Sequence, residues 1–588
     1  MQFMHRDFFH ILIKSMEKYM DQLQNLCKEK ILSEQYMDFI YKREYPDFFD
    51  QIPSDQICVQ KLKTEFYLVY MESQFASPLT LERFSYGAIP KCYTLLSTDA
   101  LEQSGIFQVQ NYPLLQLKGN GVMIGFIDTG IDYENKIFRN EDGSTRIAGI
   151  WDQTIQSGEV PKGMSYGSEY TKEMIDEALK SSDPKKLVPS KDSDGHGTFI
   201  ASIAAGGEDL EEQFLGAAPY ATIGVVKLKE AKQYLKDFYF ISRDISCFQE
   251  NDIMLGIQYL DELAKKKNQP LVLCLALGTN MGDHNGSSPL AAMLSEYASV
   301  YGRAVVTGAG NEANQRHHYY GRVKENQTET IEIRAEEGVE GFIMELWTEI
   351  PNIFIVSIVS PGGERMPFTP IRQQGNGIVY NFVLEKTRVF LDYRLFVERT
   401  NSQLVFLRFE KPVSGIWKIE VKADRVSDGK FHMWLPASPF LRRELYFLVP
   451  NPDWTVTEPG CVWNIMTAAH FNGDNNSIAI DSGRGYTRNG RLKPDFAAPG
   501  IKVRGLLPGG RFEERSGSSI SAAITAGACV LLMDWLYYQT GKRNVDSMQI
   551  KNLLILGTER DENELYPNRQ WGYGSLDLFQ TFEVLQSL

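Results

Sequence analysis

Short apolar runs alternate with helix-spaced apolar positions over much of this chain, and the alternation changes character twice. Between 88 and 320, GVMIGFID (121–128), IGVVKL (223–228), LVLCLAL (271–277) and AVVTGAG (304–310) read as strands, each closing near a loop of Gly, Asp or Asn. Helical spacing fills the gaps, as at 197–206 and 252–266. This order predicts a parallel sheet covered by helices, with functional loops at the strand C-termini. Beyond about 322 the period falls to two, in ETIEIRA, GFIMELWTE, IFIVSIVSP, IVYNFVLE, VFLDYRLFV, QLVFLRFE and IWKIEVKA. That stretch predicts an all-β sandwich or jelly roll inserted into the α/β unit. From about 460 the α/β texture resumes, with helices expected at 519–538 and 546–556. Upstream, Phe9, Ile13, Met16, Met20 and Leu23 keep helical spacing within one helix over 1–32. Residues 33–86 read as a small α+β unit with EFYLVYM (65–71) as its clearest strand. The expected organisation is an N-terminal region at 1–87, an α/β domain in two parts at 88–321 and 456–588, and the β insertion at 322–455.

Composition narrows the function classes. The 588 residues are 43% hydrophobic and 12% aromatic, enough for several buried cores. A net charge of −14 argues against a nucleic-acid partner, which would want a basic surface. The longest apolar runs fall far short of the roughly 20 residues that span a bilayer. His10 and Lys14 interrupt the N-terminal apolar stretch and no small-residue cleavage site follows, so no secretory signal is expected. The seven cysteines are scattered without metal or redox spacing, and reduced thiols are expected, with Cys274 and Cys529 as core residues.

Four segments carry candidate chemistry. GFIDTGID (125–132) delivers Asp128 to a strand end, where Gly130 lets the chain turn away. Alone it is ambiguous, because aspartic peptidases use D-T-G and Asp481-Ser482-Gly483 offers a second carboxylate; against that, Asp128 lies in a βα unit. DSDGHGTFIASIAAG (192–206) puts His196 at the head of a helix, between two glycines that allow close backbone approach. A histidine there is more often a cap than a catalyst. ERSGSSISAAITAGACVLL (514–532) sets Ser519 at the start of a helix of small residues, where free N–H groups favour negative charge. Alone it reads as an N-capping serine. VVTGAGNEAN (305–314) presents Asn311, whose amide can donate to an oxyanion, from what would otherwise be only a loop.

Taken in order, Asp128, His196, Asn311 and Ser519 resemble the subtilisin family, or subtilases, whose triad runs Asp, His, Ser along the chain. GAAPYATIGVVKLK (216–229), LALGTN (275–280) and GYTRNGRLKPDFAAPG (485–500) extend the resemblance over most of 88–320 and 460–580. It implies a serine endopeptidase with a charge-relay triad of Asp128, His196 and Ser519, and Asn311 in the oxyanion hole. It also implies a cleft lined by Leu275, Ala276, Leu277, Gly278, Gly308, Ala309 and Gly310, pairing with an extended peptide. Residues 517–524 depart from the family's usual G-T-S-M-A-x-P-H, losing a proline and a histidine that do no proton chemistry. No cofactor is implied; structural calcium is frequent in the family, but no oxygen ligands are assignable here.

The insertion, the SAAITAGA helix and IWDQTI (150–155) further resemble the Csp-type germination proteases of spore-forming bacteria. In that group a subtilase activates the zymogen of a spore-cortex hydrolase, and some members are pseudoproteases. The expected partners are a protein or peptide substrate of narrow range, such as a zymogen, and the chain's own propeptide. The expected location is cytoplasmic or spore-associated. The N-terminal region would be a prodomain, cut by Ser519 near Tyr86–Ala88. The rival reading is a silent scaffold or signalling pseudoprotease on the same fold, disfavoured by four catalytic residues in register.

Overall fold

The computed structural model describes residues 27–42, 52–53, 55–95, 102–371 and 377–587. The helix expected over 1–32 therefore lies mostly outside the described residues, and 27–32 are helical.

Three strands, β1 (Tyr36–Lys42), β2 (Ile57–Lys61) and β3 (Phe66–Glu72), form an antiparallel sheet in the order β1-β3-β2. Cys27 and Cys58 are joined by a disulfide with Cα atoms 5.5 Å apart, tying the helical residues to β2. This corrects the expectation of reduced thiols at these two positions: two cysteines 31 residues apart show no spacing signal, and only the fold brings them together. Cys92, Cys247, Cys274, Cys461 and Cys529 are free and buried. A short strand β4 (Cys92–Leu95) follows.

The main sheet is built from β5 (Met123–Asp128), β6 (Ile147–Asp152), β7 (Ser168–Thr171), β8 (Thr222–Lys227), β10 (Leu271–Leu275) and β12 (Arg303–Gly308), with β9 (Phe248–Gln249) and β11 (Leu277–Gly278) outside it. It runs β7-β6-β8-β5-β10-β12 and continues through Met466–Asn472, on which Phe496–Pro499 pairs in parallel. All its pairs are parallel except β6 with β7 and Met466–Asn472 with Ser477–Ile478. The apolar runs of the sequence are explained by two cores. Ile124, Phe126, Val272, Cys274, Ala304 and Val306 face the His196–Ala205 and Ser518–Asp534 helices. Met123, Ile127, Leu271, Leu273 and Val305 face the Glu250–Lys267 and Pro289–Ala298 helices. Both faces are covered, so every second residue cannot be polar. On one side of β5 lie β8 and β6, and on the other β10 and β12. The strand order thus diverges at β5, and a crevice opens beyond its C-terminal end.

The inserted strands form antiparallel sheets of six and five strands, from His318–Arg322 to Leu445–Phe447. The period-two pattern sorts their side chains. In Gly341–Glu349, Phe342, Met344 and Leu346 enter the sandwich core with Phe354, Trp417 and Ile419. The alternate residues Ile343 and Trp347 point into a different core, shared with Phe39 and Val69 of the N-terminal sheet and Leu235 and Phe238 of the α/β body. Ser402–Glu410 divides in the same way, Val405 and Leu407 inward, Leu404 and Phe406 toward the body. The chain is thus a subtilisin-like α/β fold with additional all-β sheets.

Candidate active site

β5 ends at Asp128, which is 2% exposed, and its Oδ1 accepts from the Thr129 N–H at 2.7 Å. Gly130 turns the chain at φ +124°, a conformation that side chains resist. The His196–Ala205 helix then packs its first turn against this corner. A Cβ at 197 would collide with the Gly130 carbonyl oxygen, so Gly197 allows the approach, and Gly197 N–H donates to Thr129 Oγ1 at 2.9 Å. Asp192 prepares the helix start: its Oδ1 accepts from Gly195 N–H at 2.8 Å, and its Oδ2 from the N–H and hydroxyl of Thr198 at 2.8 and 2.7 Å. These bonds satisfy donors that a helix leaves free. His196 Nδ1 consequently lies 2.8 and 3.0 Å from the two Asp128 oxygens. Asp194 Oδ1 accepts from the His196 N–H at 3.2 Å, and burial raises the Asp194 pKa against the lowering influence of His196.

His196 Nε2 is 3.3 Å from Ser519 Oγ, at the start of the wholly buried Ser518–Asp534 helix. That helix packs closely through small residues; a Cβ on Gly527 would strike Ala217 in the loop before β8. It is long and apolar enough, with the turn that follows it, to cross a membrane, but 94% of that stretch is buried inside the fold. Asn311 is held by its carbonyl end, Oδ1 accepting from Ser518 N–H at 3.0 Å. This leaves its Nδ2 as the free-facing donor of the amide. Gly310 N–H donates to Ser518 Oγ at 3.1 Å. The structure therefore assembles Asp128, His196, Ser519 and Asn311, brought from four separate segments. Asp481, the carboxylate of the competing D-S-G segment, pairs instead with His470 at 3.1 Å.

The cleft residues divide into two kinds. Leu277 and Gly278 are strand β11 and do pair with an extended segment, and that segment belongs to the chain itself. β4 lies between β11 and β9, with Leu277 opposite Leu95 and Gly278 opposite Thr94, all antiparallel. Leu275 pairs within the main sheet with Thr307, and Ala276 lies buried between the two strands. Ala309 and Gly310 do not offer a pairing edge, which corrects the expectation for 308–310. Ala309 N–H and O are bonded to Ala468 and Thr457, Gly310 O accepts from Gly483 N–H, and Gly308 pairs with Ala468. They form a wall, with their backbone groups already satisfied.

The expected cleavage region, Tyr86–Ala88, is also corrected. Tyr86 is buried against Trp347, its hydroxyl donating to Glu345 Oε1 at 2.6 Å, and Ala88 O accepts from Ile40 N–H at 2.9 Å. A packed segment is not free to enter a cleft, whereas β4, a few residues later, pairs with β11 and β9. Sequence reasoning missed β4, β9, Asp192 and Thr129; four- and two-residue strands leave no periodicity to read. Among the described residues no group of three or more His, Cys, Asp or Glu could hold a metal ion.

The CspB protease of Clostridium perfringens superposes with a TM-score of 0.74 at 29% identity, covering 83% of this chain and 98% of that one. C5a peptidase of Streptococcus pyogenes serotype M18 is 21% identical over 500 residues, 78% of this chain but 40% of the relative, so the chain spans less than half of that protein. Subtilisin-like protease SBT2.2 of Arabidopsis thaliana is 32% identical over 126 residues, 18% of this chain and 15% of the relative. A model of the subtilase family matches residues 119–376 and 449–574. The chain belongs to the subtilase family.

Proposed function

We propose that Asp128, His196 and Ser519 are the triad of an endopeptidase that first cuts its own chain and then activates a zymogen. The observation that carries the triad is the hydrogen-bonded line from Asp128 through His196 to Ser519. In this mechanism Ser519 Oγ attacks the scissile carbonyl while His196 Nε2 takes its proton. Asp128 fixes the Nδ1–H tautomer and stabilises the imidazolium. The 3.3 Å separation is the looser spacing expected before a carbonyl is seated. Asn311 Nδ2 and the Ser519 N–H, at the positive end of a helix, receive the oxyanion, each worth roughly 3–4 kcal/mol. The proton then passes from His196 to the leaving amine.

Self-cleavage is supported by β4, which pairs with the cleft as a substrate strand would. The bond expected to be cut is Leu96–Ser97, the one that follows the first residue after β4 in the sequence. The substrate class, a spore-cortex hydrolase zymogen, is what the resemblance of the sequence to the Csp-type germination proteases implies, and the likeness to the CspB protease is in keeping with that resemblance. Wild type should separate into fragments of about 11 and 56 kDa, scaled from chain length. Ser519→Ala should stay whole, and mass spectrometry should find the new terminus at Ser97. Wild type that stays uncut while Ser519 reacts with a fluorophosphonate refutes self-cleavage alone; no reaction at Ser519 refutes the triad.

A further inference from the structure

The residue after Asn311 is a buried carboxylate without a role in the chemistry above. Glu312 is 5% exposed, yet each of its oxygens is doubly engaged. Oε2 accepts from Asn280 Nδ2 at 3.0 Å and His317 Nδ1 at 2.7 Å. Oε1 accepts from the Ser438 N–H at 3.0 Å and the Ser438 hydroxyl at 2.8 Å. The donors come from three parts of the fold. Asn280 lies two residues past β11, at the end of the cleft. His317 immediately precedes the first strand of the inserted sandwich, and Ser438 follows the strand Lys430–Trp434 within it.

We propose that Glu312 is a positioning residue for the oxyanion donor Asn311, through which the inserted sandwich holds that donor in place. The inference rests on the peptidase reading above. Before Asn311 the backbone is fixed to the core, Gly310 being bonded to both Ser518 and Gly483. After it the chain has left β12. The next few residues are tied to the body by the Ala313 N–H to Asp481 O bond at 3.1 Å and by the Glu312 side chain, before Arg316 O and His317 O accept from Phe447 and Leu435 of the inserted region. A buried carboxylate is tolerated only while its donors stay in place, so this anchor resists small displacements. Oxyanion donors act over a narrow range, about 2.7–3.1 Å, and a misplacement of about 1 Å costs about 100-fold in rate. A sandwich that fixes Glu312 therefore fixes the rate of acylation as well as the fold.

The test is a set of double-mutant cycles on the full chain, using the p-nitroanilide of Tyr-Thr-Leu-Leu, which copies residues 93–96. Glu312→Ala, Glu312→Gln and Ser438→Ala are each measured alone and with Asn311→Ala. Glu312→Ala should lower kcat about 10- to 100-fold with KM nearly unchanged, Glu312→Gln and Ser438→Ala less so. In the Asn311→Ala background all three should have no further effect on kcat. An equal fold-loss in that background, a loss confined to KM, or an unchanged kcat overturns the proposal. If Glu312→Ala does not fold, the other two cycles decide by the same criteria. Fluorophosphonate labelling of Ser519 in wild type separates the outcomes: labelled enzyme with additive cycles refutes the role of Glu312 alone. Wild type that neither reacts nor hydrolyses the anilide removes the peptidase reading and this inference together.

Discussion

Gly308→Ala should cripple catalysis by one methyl group. An ideal Cβ on Gly308 would sit 2.5 Å from the Ser518 carbonyl oxygen and 2.8 Å from both its carbonyl carbon and its Oγ. Ordinary contact begins at 3.4 Å, so the strand and the helix must part by about 1 Å. Neither yields easily. β12 is paired on both sides, and the Ser518–Asp534 helix is buried along its whole length. The strain should cost about 1–3 kcal/mol of stability, as overpacking does. The larger effect falls on the site, because the displaced atoms are those that seat Asn311 and precede Ser519. A shift of about 1 Å there predicts a loss of about 100-fold in kcat. Hydrolysis of the tetrapeptide anilide, the rate of fluorophosphonate labelling and the thermal midpoint together test this. A variant with wild-type kcat and an unchanged midpoint would show that the helix start is not held by this contact.

Other outcomes follow from the same geometry. Asp128→Asn should lower kcat about 10⁴-fold with little change in KM, because an amide N–H facing Nδ1 favours the tautomer protonated on Nε2, which cannot take the serine proton; a loss under tenfold would refute the assignment. Burial holds the His284 pKa at about 4 from an ordinary 6.5, where the ring stacks on Trp434 at 4.0 Å. The native state thus binds fewer protons, so stability is intact above pH 6.5 and declines as pH falls to about 4, by about 3 kcal/mol for this group. Urea unfolding across that window should show the slope, and a His284→Gln variant with the same slope would rule out His284 as its source. Cys58→Ser should cost about 3–4 kcal/mol of stability for the 31-residue separation, reproduced by reductant in wild type but absent on adding reductant to the variant. Trp347→Ala should cost about 3–5 kcal/mol, and limited proteolysis should then open the sandwich and the N-terminal sheet together.

The sequence made the candidate site legible because the setting of each of its residues is local. Asp128 ends an apolar run, His196 and Ser519 begin apolar helices, and glycines mark where backbones meet. The two cores of the main sheet were implicit in runs such as LVLCLAL, which have no polar face to turn outward. What stayed hidden depends on distance along the chain. The disulfide joins residues 31 apart, and β4 finds its neighbours at 248 and 277 only when the sheet is assembled. The period-two pattern revealed the sandwich but not that Gly341–Glu349 is buried on both faces. An alternating strand shows only that its two faces differ, and Trp347 and Phe342 look equally apolar from sequence.

That double burial bears on what cleavage after β4 could accomplish. The N-terminal sheet is not tethered by its covalent link alone. Asp38 in β1 is 1% exposed, and its Oδ1 lies 2.5 Å from Lys232 Nζ. Its Oδ2 accepts from Gln249 Nε2 at 2.7 Å and from Asn251 Nδ2 at 3.1 Å. Gln249 belongs to β9, one of the two strands that embrace β4, so this charge cluster stiffens the cleft edge as well as the docked sheet. Losing one partner from such a buried pair costs about 3–5 kcal/mol, and dissociation would unpair every member at once. Phe39 and Val69 would also leave the core they share with Phe238 and Trp347. Cutting one peptide bond removes none of these interactions; it relieves only the connection. Self-cleavage would then leave the N-terminal part in place with its strand in the cleft. A substrate would have to displace β4 from between β9 and β11 while the sheet behind it stays docked. On this account β4 is the gate, and the two faces of the inserted sandwich hold its frame.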